Sequence, residues 1–243
     1  MSGPANLYPL KKYFILNSEH KLSAMKKMKS VPLNEELYNY ILDRFVPEEN
    51  LLNELIAETE SLNIPLIQIS PEQGKFLTLL CRLSNAKNAL EIGTLTGYSG
   101  IHIARGLADG GKLVTVEIEQ KHGDTARKYF EKAGLKEKTE VVISPALEYM
   151  KKLAEENRKF DFIFIDANKT NYPDYLEEAI KLSHTGTAIT MDNMIKNGRV
   201  IEDAGDDADL RFIQLTNDIL SKDKRIETLL VPIGDGITFS VVK

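Results

Sequence analysis

The chain has 243 residues, 42% of them hydrophobic, which suits one α/β domain or one domain with a small appendage. Its 31 Lys and Arg against 36 Asp and Glu leave a net charge of −5, which argues against general binding to a phosphate backbone and leaves a specific nucleic-acid site open. A single cysteine, Cys81, excludes an internal disulfide and fits a reducing compartment.

No apolar run approaches the ~20 residues of a membrane span, and the opening MSGPANLYPLKKYFILNSEHK lacks the apolar core of a secretory signal. A soluble cytoplasmic protein is therefore expected. The segment KLSAMKKMKS (21–30) reads most simply as a solvated helix face or a mobile arm. Leu33, Leu37, Ile41 and Phe45 recur every four residues, and PEQGKFLTLLCRL (71–83) begins with a proline where a helix would start, so the chain before residue 88 reads as helices.

Apolar runs then alternate with amphipathic stretches. The expected strands are NALEIGT (88–94), KLVTVEI (112–118), TEVVIS (139–144), DFIFID (161–166), GTAITMD (186–192), RIETLLVPI (225–233) and GITFSVVK (236–243). Between them lie helices such as DYLEEAIKL (174–182). Strands without polar alternation imply a parallel sheet covered on both faces. The final two runs are too close for a parallel crossover, so the last strand should return antiparallel in a hairpin.

Two places carry chemistry. In ALEIGTLTGYSG (89–100), Gly93, Gly97 and Gly100 follow a strand and open a helix. Glycines there allow a sharp turn and a close ligand, and the helix end offers free N–H groups. Their spacing is G-x-x-x-G-x-x-G, unlike the G-x-G-x-x-G that seats a pyrophosphate, and Glu117 ends the next strand where an acid can bind both hydroxyls of a ribose. A nucleoside cofactor without a diphosphate is the favoured reading; a plain tight turn is the alternative. Glu91, inside the strand, is either a core-edge carboxylate or a contact to the cofactor's charged end.

The second place is FDFIFIDANKTNY (160–172), a buried strand ending in Asp166, with Asp192 and Asn193 ending the following strand. Neighbouring parallel strands would bring these ends together at the carboxyl edge of the sheet. Two carboxylates and an amide oxygen suit Mg²⁺, Mn²⁺ or Ca²⁺, and would leave roughly three of six octahedral positions open. The alternative is that all three are helix caps and turn formers. Lys169 reaches over the same edge, where a nearby cation would favour its proton-accepting form. The histidines (His20, His102, His122, His184) show no ligand spacing, and no G-x-S-x-G elbow supports acyl transfer.

At these residues the chain resembles the cation-dependent O-methyltransferases, the caffeoyl-CoA O-methyltransferase-like family related to catechol O-methyltransferase. The resemblance runs in order through SPEQGKFLTLL, AKNALEIGTLTGYSG, LVTVEIE, SPALEYM, DFIFIDANKTNY, MDNMIKNGRV and VPIGDGITFSVV, from about Leu66 to the end. It implies an α/β, Rossmann-like class I methyltransferase fold over 66–243, with seven strands, the last antiparallel, helices on both faces, and a helical segment 1–65 packed on it. S-adenosylmethionine would lie over the Gly93 turn, with Glu91, Gly93, Thr94 and Ser99 at its amino-acid end, Glu117 on its ribose and Ala146 beside the adenine. Ile69, Gln73, Gly97, Tyr98 and Asp166 would complete the cofactor contacts.

Asp166, Asp192 and Asn193 match the family's ligands for a divalent cation, Mg²⁺ foremost, and Lys169 its proposed general base, so that Lys169, Asp166 and Asn193 form the catalytic set. Lys169, Asn197 and Asp235 match positions near the substrate, although Asp235 also fits a plain hairpin turn. Asn168 stands where many plant members carry a second Asp, Ile69 where they carry Thr, and Gln73 where Glu is common. A homodimer is implied, without nucleic acid or membrane.

The implied reaction is methylation of a vicinal dihydroxy aromatic. A phenol has a pKa of about 10. Chelation would lower it, Lys169 would take the proton, and the oxygen would attack the sulfonium methyl in line. The polar segment 194–210 is either a lid or a solvated loop. Two other functions keep part of the pattern: a nicotinamide-dependent oxidoreductase, which leaves Asp192 and Asn193 unexplained, and a noncatalytic S-adenosylmethionine-binding or RNA-associated module.

Overall fold

A computed structural model describes residues 30–243; residues 21–29 of the lysine-bearing segment, and His20, lie outside the described residues. Seven strands form one sheet: β1 (Asn88–Ile92), β2 (Lys112–Glu117), β3 (Thr139–Ile143), β4 (Phe160–Ile165), β5 (Ser183–Met191), β6 (Ile226–Val231) and β7 (Ile237–Val242), in the order β3-β2-β1-β4-β5-β7-β6. The first five pair in parallel, and β7 runs antiparallel to both β5 and β6. The reversed strand is thus last in the chain but not last in the sheet. The hairpin from β6 leaves β7 beside β5 and puts β6 at the edge.

Strand β4 shows why the sheet is covered twice. Phe162, Ile163, Phe164 and Ile165 are all fully buried, and successive side chains point to opposite faces. Phe162 and Phe164 join the core formed with α3 (Pro71–Leu83), α4 (Tyr98–Gly106) and α5 (Gln120–Lys132). Ile163 and Ile165 join the core formed with α6 (Ala146–Glu155), α7 (Tyr172–Lys181) and α8 (Ala208–Lys222). Each such side chain contributes about 1.5–3 kcal/mol through burial. A polar residue anywhere in this run would forfeit that and strand an unpaired group.

Among the N-terminal helices, α2 (Asn50–Ser61) sinks Leu52 and Leu55 into the first of these cores and buries Thr59, whose hydroxyl donates to Leu55 O at 2.7 Å. The apolar stripe before it behaves differently. Helix α1 (Glu35–Phe45), capped by the Asn34 side chain on Leu37 N, buries none of its residues, and Leu33 and Phe45 are 58% and 65% exposed. No helix among the described residues is long and apolar enough to cross a membrane.

The register delivers the site. Ile92 pairs with Ile165, and Ile165 with Met191, so the residues following β1, β4 and β5 emerge side by side at one edge. Asp166 N donates to Ile92 O at 2.8 Å and Asp192 N to Ile165 O at 3.1 Å, fixing Gly93, Asp166 and Asp192 at one level.

Candidate active site

Gly93 turns the chain out of β1 with φ +97°, and a Cβ built on it would lie 1.9 Å from the Asp166 carbonyl oxygen. Only glycine fits that approach. Gly97, with φ +95°, starts α4 without a side-chain cap, so the first-turn N–H groups of α4 have no side chain bonded to them there. At the end of β2, Glu117 is fixed by three backbone donors: Leu95 N at 2.7 Å on Oε2, and Ile118 N at 2.9 Å and Glu119 N at 3.0 Å on Oε1. His122 Nδ1 stands 3.6 Å from the same carboxylate.

A cavity of about 800 Å³ spans this edge from β2 across β1 to β4 and β5. Ile69, Gly93, Thr94, Tyr98, Ser99, Glu117, Ala146, Asp166, Lys169, Asn193, Asn197 and Asp235, all anticipated from the sequence, line it together. Four anticipated residues, Gln73, Glu91, Gly97 and Asp192, sit behind the wall. Gly97 packs against Ala126 and Phe130. Glu91 is fully buried, with Ser99 Oγ and Thr115 Oγ1 each donating to it at 2.5 Å, and burial pushes its carboxyl up to about 7.

Gln73 faces the acidic end of the cavity from inside the protein. Its Oε1 accepts from Ser70 N and Ser70 Oγ, both at 3.0 Å, closing the capping box of α3. The amide is thereby oriented, and Nε2 donates to Asp192 Oδ1 at 2.6 Å. Asp192 is 3% exposed, and burial together with the charge of Asp166 pushes its carboxyl up to about 7. Asn193 Nδ2 donates to the other Asp192 oxygen at 3.3 Å.

Lys169 pairs with Asp166, donating to its Oδ1 at 2.6 Å and to Tyr172 Oη at 2.7 Å. Tyr172, fully buried, donates in turn to the Asp192 carbonyl at 3.1 Å. Sequence reading missed Tyr172, whose only signal is its spacing of three from Lys169. It also missed Lys196 and Asp209, which line the cavity and approach each other to 3.4 Å.

The loop after β5 is held in an unusual shape. Asn193, Lys196, Asn197 and Gly198 all have positive φ, of 59°, 51°, 54° and 83°. Asp235 holds them there: its carbonyl accepts from Ile195 N at 3.0 Å and its carboxylate from Asn197 N at 2.5 Å. It is a hairpin-turn residue and a cavity residue at once. Residues 194–210 fold onto α8 through Gln214, whose Nε2 donates to Val200 O at 3.1 Å and Glu202 O at 2.7 Å.

Asp166, Asp192 and the Asn193 amide oxygen are donors of the chemical type that could hold a hard cation. Two carboxylates are packed at one edge, one of them desolvated, where a positive charge would relieve them. No group of three or more His, Cys, Asp or Glu gathers to hold a metal among the described residues; the set here is two acids and an amide.

Comparison with known proteins agrees with this geometry. The family model described as O-methyltransferase matches residues 43–243. A catechol O-methyltransferase of Niastella koreensis is 38% identical over 218 residues, covering 86% of this chain and 97% of that protein. Caffeoyl-CoA O-methyltransferase 2 of Petunia hybrida is 38% identical over 223 residues, covering 86% and 91%. The crystal structure of an O-methyltransferase from Bacillus cereus in complex with SAH superposes with a TM-score of 0.80 at 39% identity, covering 84% of this chain and 96% of that one. The class I methyltransferase architecture expected from the sequence is the one observed, and the chain belongs to the O-methyltransferase family.

Proposed function

We propose that the enzyme transfers a methyl group from S-adenosylmethionine to one oxygen of a vicinal dihydroxy aromatic, using a divalent cation, Mg²⁺ foremost with Mn²⁺ and Ca²⁺ as substitutes. One observation carries the reading: three neighbouring strand ends set a glycine turn, the Asp166 carboxylate and Lys169 around a single cavity, with the Asp192 carboxylate directly behind its wall. The names of relatives acting on catechol and caffeoyl-CoA support the acceptor class.

In this reading Glu117 binds the ribose hydroxyls, Ala146 flanks the adenine, and Thr94, Ser99 and the α4 terminus take the amino-acid end. Ile69 and Tyr98 wall the donor, while Gln73, Glu91 and Gly97 act from behind it. Asp166, Asp192 and Asn193 would hold the cation. When bound, the donor supplies an electrophilic methyl and the cation a Lewis acid that favours the phenolate.

The remaining work belongs to the chain. Lys169 Nζ, once its own proton has passed to solvent, accepts the hydroxyl proton, and Tyr172 Oη at 2.7 Å holds the amine in place. Asn197 and Asp235 border the acceptor. Rigid strand ends align the two reactants, an effect reaching effective molarities on the order of 10⁵ M or more. The lone Cys81, buried and free, accords with a cytoplasmic setting, and the exposed stripe of Leu33 and Phe45 with a homodimer.

Transfer of labelled methyl from S-adenosylmethionine should be tested on catechol, its monomethyl ether and phenol. Catechol is expected to react at least about 100-fold faster than the two monohydroxy compounds, since only it offers two oxygens to one ion. Equal rates across the three would refute chelation. No labelled product from any of them would refute the vicinal dihydroxy aromatic as the acceptor.

A further inference from the structure

Glu91 and Thr115 are register partners on β1 and β2, both fully buried. Thr115 Oγ1 donates to Glu91 Oε2 and Ser99 Oγ to Glu91 Oε1, each at 2.5 Å, and Thr94 Oγ1 lies 2.5 Å from Thr115 Oγ1. Glu91 has no path to the cavity of its own. A Cβ on Gly100 would already come within 2.9 Å of its Oε2. Thr94 and Ser99 do line the cavity.

With Glu91 ionised, the form that a neighbouring ammonium favours, counting protons gives the direction of this chain. A hydroxyl has one proton and two lone pairs, and a carboxylate only accepts. Thr115 spends its proton on Glu91, so in the contact with Thr94 it must accept, and Thr94 must donate. Ser99 spends its proton on Glu91 as well. Both wall hydroxyls therefore have their protons turned inward and present lone pairs to the cavity. An ammonium group, three donors and no acceptor, is the complement of such a surface.

We infer that Glu91 and Thr115 are positioning residues that polarise the Thr94 and Ser99 hydroxyls into an acceptor patch for the ammonium of the methyl donor, an inference that rests on the donor site proposed above. Thr115 then has a role although it touches neither reactant, and Glu91 acts only through the two hydroxyls.

The test is calorimetric binding of S-adenosylmethionine and of 5′-methylthioadenosine, which keeps the nucleoside and sulfur but lacks the amino acid. Thr115→Val frees the Thr94 proton to turn outward, and Glu91→Gln replaces an acceptor with a donor. Each is expected to weaken S-adenosylmethionine about tenfold and change 5′-methylthioadenosine less than about twofold, with KM for the donor rising and kcat nearly kept. Thr115→Ser, which restores the hydroxyl, should recover wild-type affinity. Unchanged S-adenosylmethionine affinity in the folded variants, or an equal loss for both ligands, would overturn the inference. Wild-type protein that binds neither ligand would overturn the donor site, and the inference with it.

Discussion

Asp192→Asn is expected to cut methyl transfer by on the order of 10³-fold and to leave the protein folded. The substitution preserves shape and keeps an oxygen for the Gln73 amide, which donates at 2.6 Å. What disappears is one of two negative charges that would hold the cation. A thousandfold is about 4 kcal/mol, the scale on which a Lewis acid stabilises developing charge. Stability should move the other way. Asp192 is 3% exposed beside Asp166, so without a metal its charge opposes folding, and the neutral amide removes that opposition. In chelator the variant should melt no lower than the wild type, and added Mg²⁺ should raise only the wild type. Full activity in Asp192→Asn would remove Asp192 from the ligand set.

Lys169 has the second largest expected effect. Lys169→Ala should lose about 10²- to 10⁴-fold in kcat, the usual worth of a placed general base. That loss alone does not separate proton transfer from simple charge, because Lys169 is also the partner of Asp166 at 2.6 Å. Lys169→Arg separates them, since a guanidinium keeps the pairing but does not give up its proton. Both variants should be slow with catechol. Both should approach wild type with a nitro-substituted catechol whose hydroxyl is already ionised at neutral pH, where no base is needed. A defect of equal size with the two acceptors, measured as kcat, would make Lys169 an electrostatic residue and leave the proton to another group.

Much of this arrangement was legible because it obeys short-range rules. The run Phe162–Ile165 announces a strand buried on two sides, and Asp166 at its end announces an edge. The closeness of the last two runs forced a hairpin, although where β7 would insert depends on pairing across the sheet. What stayed hidden is what the fold brings together from afar. Gln73 and Asp192 are 119 positions apart, and nothing local says that a capping-box glutamine spends its free amide on a carboxylate across the sheet. Thr115 reads as an ordinary strand residue until the β1–β2 register sets it beside Glu91. The stripe Leu33, Leu37, Ile41 and Phe45 misleads in the opposite sense: its periodicity is helical, yet α1 buries none of it among the described residues. Periodicity reports an apolar face, and contacts decide whether that face is covered.

A glycine turn followed by a ribose acid is also the plan of a nicotinamide enzyme, although the glycine spacing here already favoured a cofactor without a diphosphate; family membership sets that function aside. Whether a metal ion belongs among Asp166, Asp192 and Asn193 is decided by turnover itself. Catechol methylation should be followed in protein stripped with chelator and again after Mg²⁺ is restored. A fall of at least about 100-fold that Mg²⁺ reverses is the expected result; a rate indifferent to both treatments would contradict the shared cation and with it the reason for an acidic pair at this edge.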